Sequence, residues 1–296
     1  MSDGELPDAQ GDPIDIAASA DTGSSVLPMS PSVAKLAFAV IIFLAAAAGG
    51  LIPLAGRPGS RRSHFMSWGN AFAAGVFLGT GLIHMLGEAG RAWTRLGWSY
   101  PMPLLLAAVG FMLFLLVEHV LLPSDAHSVA HAHSGHALPT DEVERLTGTG
   151  IPHALLLALS IHSVIAGVAL GGQAEFAGAF YIFLAIIAHK SSAAFALGTA
   201  LRRSTVARGR GRWLIGFFSL ATPVGIFAGA LVSDLLRSVA GQYFDAAFLA
   251  LAGGTFLYIA SMDILQDEFL HAGGRFVKWL WAVAAIALTA LLSIWI

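Results

Sequence analysis

The sequence predicts an all-α integral membrane protein with about eight transmembrane helices and both termini outside the cytoplasm. Three observations lead there. Of 296 residues, 56% are hydrophobic and only 11% charged, with a mean hydropathy of +0.75, whereas a soluble domain carries about 25% charged residues. The apolar runs are continuous, not alternating, and long enough to cross a hydrocarbon core of roughly 30 Å as helices. Lipid offers unpaired backbone groups no partner, so helices are the form such runs take. Third, most arginines fall in short connections that lie on one side of an eight-span count, while the opposite side has the acidic tail and a few balanced charges such as Arg91, Arg95, Asp234 and Arg237.

The first 32 residues stand apart. "MSDGELPDAQGDPIDIAASADTG" is acidic, free of Lys and Arg and full of turn formers. It lacks the basic start of a signal peptide and is expected to be a disordered tail. Residues 33–296 form the membrane domain, with spans expected at 33–55, 66–90, 101–122, 152–173, 176–201, 213–237, 244–268 and 275–296. Arg57, Arg61 and Arg62 follow the first span, and Arg202, Arg203, Arg208, Arg210 and Arg212 follow the fifth. Arg275 and Lys278 follow the seventh. The positive-inside rule puts these connections in the cytoplasm. The connection at 123–150 lies on the same side and contains "HSVAHAHSGH". His127, His131, His133 and His136 at that spacing can gather around a metal ion, or can be incidental to a low-complexity linker.

Function classes narrow next. The chain has no cysteine, so disulfides, thiolate metal sites and Cys nucleophiles are excluded, and a transition metal would need His, carboxylate, Met or hydroxyl ligands. A net charge of −2 gives no sign of nucleic-acid binding. The sequence contains no GxxxxGK[ST] phosphate loop and no HExxH metalloprotease helix, so no enzyme is expected and no cofactor.

Polar residues within apolar spans are costly unless they face protein or water. His84 and Glu88, four apart, share one helix face. They either bind a metal together or satisfy each other by a hydrogen bond. Glu118 and His119 stand near a span end and are expected to reach the interface. "HSVIAGVALG" (162–171) and "HKSSAAFALG" (189–198) echo one another. Their small residues permit close helix approach, but packing does not account for a histidine opening each repeat. His162, His189 and Asp263, on three different spans, point to a hydrophilic path. The pairing suggests the internal duplication found among transporters with midplane sites. Pro223 in "SLATPVGIFAGA" is expected to kink the sixth span and free a carbonyl there.

These stretches, with "GNAFAAGVFLGTGLIHML" and "GGTFLYIASMDIL", resemble the ZIP (Zrt/Irt-like) metal transporters from about residue 35 to 296. The resemblance implies a ZIP-like bundle that carries Zn²⁺, or in some members Fe²⁺, Mn²⁺ or Cd²⁺, into the cytoplasm across the cell membrane. It implies a central metal site between the fourth and fifth helices, helped by the second, sixth and seventh. His162 and Ser163 match the family's fourth-helix polar pair and His189 and Lys190 the fifth-helix pair; His84 and Asp263 fall where polar residues line the route. The expected partners are the metal ion and the lipid bilayer, with a homodimer admitted and nucleic acid not. This chain departs from the family pattern at Ala166, where the fourth-helix motif usually has Glu, and at Ala193, where some members have Glu. One metal is therefore expected instead of two, bound weakly unless Asp263 or His84 completes its shell. A protein that senses metal or binds a partner without transporting is the alternative.

Overall fold

A computed structural model describes residues 31–55, 60–121, 151–204, 206–270 and 273–294. Most of the expected tail and the loop carrying His127, His131, His133 and His136 lie outside the described residues. The described residues are helical and contain no strand. Eight helices are long and apolar enough to cross a membrane: Ser32–Leu54, His64–Arg95, Met102–Val120, His153–Gly172, Phe176–Arg203, Arg208–Leu231, Val239–Leu270 and Arg275–Leu292. They are called spans 1 to 8 below. Large apolar side chains such as Leu44, Leu104, Met112, Phe217, Phe227 and Leu288 are exposed on their outer faces. In lipid those faces need no protein cover, and the low charge content of the chain follows from that.

The count of eight agrees with the expected one, and the ends differ where local chemistry decides them. Span 6 was expected to run to 237 but stops at Leu231, where Val232 leaves helical geometry (φ −107°, ψ 22°) ahead of a separate turn, Ser233–Arg237. Span 7 begins at Val239, not 244, because Ser238 caps it: its Oγ accepts the backbone N–H of Gly241 at 3.1 Å. Such a cap satisfies one of the orphan donors of the first turn. Spans 2 and 7 are each interrupted by a π-helical segment, Thr80–Met85 and Ile259–Leu265, and span 3 ends in one, Val117–Leu121. These wide turns contain His84, Asp263, and Glu118 with His119. Insertions of this kind re-aim side chains and recur at functional sites.

The spans fall into two groups of four. Spans 1, 4, 5 and 6 pack on one another, with span 4 against 6 and span 1 against 5 as the longest contacts; spans 3 and 7, and 2 and 8, pair likewise in the second group. Exchanging 1 with 6, 2 with 7, 3 with 8 and 4 with 5 leaves this pairing unchanged. Because spans 1 and 6 cross in opposite senses, the symmetry is that of an inverted repeat. The echo between spans 4 and 5 belongs to it. Gly171 closes the first repeat where a Cβ would collide with the Ile226 carbonyl of span 6, and Gly198 closes the second where one would collide with the Gly50 carbonyl of span 1. Each glycine lets two backbones approach without a side chain between them. The two groups meet mainly along spans 2 and 5.

Candidate metal-ion site

Span 4 is regular α-helix from Ile151 to Gly172 and span 5 from Phe176 to Arg203, so His162 and His189 are held without local distortion. The two rings sit 5.8 Å apart between centroids. Phe256 of span 7 packs against both, at 4.7 Å from His162 and 5.9 Å from His189. Together with Ser163, Ala166, Lys190 and Thr222 the imidazoles line a cavity of about 10 Å³, room for about one water-sized guest. Both histidines are more than nine-tenths buried.

The Ala185 carbonyl, one turn back, lies close to the His189 ring. Neither ring nitrogen of His162 has a hydrogen-bond partner. Buried polar atoms are nearly always paired, so an orphaned imidazole facing a small cavity asks for a guest. A neutral imidazole offers one lone pair and one N–H.

Lys190 fills the place beside them. Its Nζ donates to Ser163 Oγ at 2.6 Å and reaches toward the Phe218 carbonyl at 3.5 Å, and it lies 3.7 Å over the Phe218 ring. Ser163 Oγ in turn donates to the Leu159 carbonyl at 2.6 Å. The proline of span 6 comes into play here: Pro223 lacks the N–H that would continue the ladder, and Thr222 before it presents a buried, unpartnered Oγ1 to the cavity.

The other expected contributors stand elsewhere. His84 lies within electrostatic range of His162 and His189 but does not line the cavity. Glu88 does not line the cavity either: its carboxylate accepts from Arg91 at 2.6 Å and Arg95 at 3.0 Å on a half-exposed surface, while lying within electrostatic range of His84. Asp263 lies beside Glu118 across spans 7 and 3, its Oδ2 buried without a hydrogen-bond partner. Tyr258 Oη stands next to them, 3.0 Å from His119 Nδ1 and close to Glu118. Glu118 is buried and does not reach the interface as its position near the span end had led us to expect; the π-segment Val117–Leu121 turns it toward span 7. Among the described residues no three His, Asp or Glu side chains converge closely enough to hold a metal.

Two residues escaped the sequence reading. Thr222 was signalled only by the proline after it. Glu268, 3% exposed, accepts from Ser67 Oγ at 2.5 Å, Asn70 Nδ2 at 2.7 Å and Arg203 Nη2 at 2.7 Å, with Lys278 Nζ at 3.6 Å. Thr199 Oγ1 donates to Asn70 Oδ1 at 2.7 Å. This network ties span 5 of the first group to spans 2, 7 and 8 of the second.

A family model described as ZIP zinc transporter matches residues 32–153 and 151–293. The zinc transporter ZIP1 of Danio rerio is 30% identical over 258 residues, covering 77% of this chain and 84% of the relative. The human zinc transporter ZIP1 is 28% identical over 304 residues, 88% of this chain and 90% of its own. Zinc transporter 3 of Arabidopsis thaliana is 27% identical over 260 residues, 80% and 75%.

Proposed function

Because the chain belongs to the ZIP zinc transporter family, we propose that it carries a divalent transition-metal ion, zinc foremost, through the membrane into the cytoplasm. Family membership supports divalent-metal transport by a multi-pass membrane protein, and a transporter in place of an enzyme. The direction follows from the arginine-rich connections and the positive-inside rule.

His162 and His189 are the principal ligands of a transient site in this proposal. The observation that carries it is the pair of buried imidazoles on spans 4 and 5, facing one small cavity, with the nitrogens of His162 unmatched. Two imidazoles leave a tetrahedral metal two positions short. Ser163 is held between Lys190 and Leu159, so water or a passing ion completes the shell. His84, in its π-turn, is a relay on the route to this cavity. Asp263, with Glu118, forms a separate polar station, and Glu88 belongs to the surface. The four loop histidines collect metal on the cytoplasmic face. Weak, incomplete coordination favours release, which a carrier needs more than tight binding.

A second reading keeps metal binding and drops transport, on one observation: no carboxylate lines the cavity and an ammonium does. Zinc uptake into cells, with surface expression matched, separates the two. His162→Ala and His189→Ala should each remove most of the uptake, while His64→Ala, at the exposed start of span 2, should leave it near wild type. Uptake unchanged in both cavity variants would sink the site, and absence of uptake by the wild type would favour the sensor.

A further inference from the structure

Carriers built as inverted repeats expose a midplane site to each side in turn by moving one helix group against the other. The cavity divides unevenly between the groups here. Spans 4, 5 and 6 supply its wall apart from Phe256, which span 7 contributes. Movement of one group past the other must break the contacts between them, and two polar ones lie at the arginine-rich end of span 5. Arg203 pairs with Glu268 at 2.7 Å and with Asp267, both of span 7. One turn earlier, Thr199 donates to Asn70 of span 2 at 2.7 Å. At 1.5 Å per residue, Arg203 stands about 21 Å along span 5 from His189.

Each group keeps its own polar side chains satisfied when these contacts part. Glu268 retains Ser67 and Asn70 of span 2 and Lys278 of span 8. Thr199 turns its proton to the Ala196 carbonyl, 2.8 Å away in its own helix. The Arg203 and Asp267 side chains are 50% and 40% exposed, so water can replace each for the other. An exposed ion pair of that kind is weak, whereas parting the buried Glu268 and Lys278 inside the second group would strand a charge. Resting on the transport reading above, we propose that Arg203 with Asp267 and Glu268, and Thr199 with Asn70, form a releasable clasp that shuts the cavity from the arginine-rich face. The clasp is closed in this structure, and its opening is the step that lets the metal leave on that side.

Because the chain has no cysteine, Ala193→Cys places one thiol on the cavity wall. An impermeant methanethiosulfonate, applied to the face of sealed vesicles that carries Arg203, reads how often the cavity opens there. Arg203→Ala should speed this labelling roughly threefold or more, because the rate follows the open population. Arg203→Lys keeps the charge and should stay near the parent. Arg210→Ala, which removes an exposed arginine at the start of span 6, should change nothing and so separates the clasp from the general charge of that face. In a second arm, Arg203→Cys and Asp267→Cys are combined and joined by a short, reducible thiol cross-linker. Zinc uptake should fall about tenfold or more on cross-linking, as for any blocked conformational step, and return with reductant. Labelling that ignores Arg203→Ala, or full uptake through the cross-linked protein, would overturn the clasp. Absence of uptake by the wild type would strike the transport reading instead, and the labelling rates would still decide the clasp.

Discussion

Replacing Glu268 by Ala should destabilise the protein more than any loss of a surface charge. The side chain is 3% exposed and accepts hydrogen bonds from Ser67, Asn70 and Arg203. Its loss strands Lys278, itself 6% exposed, with only the Glu268 main-chain carbonyl, which accepts from its Nζ at 2.5 Å. Hydrogen bonds to a buried charge contribute about 1.5–3 kcal/mol each. The Arg203 side chain is 50% exposed, so its ion pair is discounted to about 1 kcal/mol or less. The sum is about 3–7 kcal/mol, which spans the roughly 3–5 kcal/mol seen when one partner of a buried pair is removed. Glu88→Ala is the internal control. Its partners Arg91 and Arg95 are 56% and 66% exposed, and the whole triad should contribute less than about 1 kcal/mol. Thermal denaturation followed by fluorescence-detected size exclusion, in one detergent, ranks the two. Glu268→Gln, which keeps an acceptor for Asn70, should fall between them. If Glu268→Ala melts with the wild type, or together with Glu88→Ala, the network does not join the two helix groups as described.

Two further outcomes can be checked in the same preparations. Gly171→Ala should reduce the yield of folded protein because the new Cβ meets the Ile226 carbonyl of span 6, while Gly209→Ala, which meets nothing within 4 Å, should be neutral; equal yields would remove the close approach of spans 4 and 6. The absence of cysteine makes single reporters clean: an impermeant thiol reagent should label Ser24→Cys in intact cells and Ser134→Cys only after permeabilisation, and the reverse pattern would invert the proposed direction of transport.

The fold was legible because lipid leaves few options. Continuous apolar runs separated by charged or turn-forming stretches can only be spans, and eight of them appear in the structure. Their ends were not legible, since a cap such as Ser238 or a break such as Val232 depends on a few dihedral angles and not on hydropathy. The π-segments were hidden for a related reason. Nothing in "TGLIHM" or "IASMDIL" departs from an ordinary apolar helix, yet these segments carry His84 and Asp263, and a spacing counted across a π-turn does not keep its α-helical phase.

That His162 and His189 come together was legible for the opposite reason. A histidine at the same place in two repeats survives any small error in helix phase, and the two spans that carry them are regular throughout. What the repeat could not reveal is the surroundings of each ring: His162 and His189 read alike as letters, but both nitrogens of His162 are buried without a hydrogen-bond partner. In the proposed site a metal would fix the orientation of that ring on binding and free it again on release. With Ala166 and Ala193 adding no carboxylate, an unheld ring would favour exit over retention.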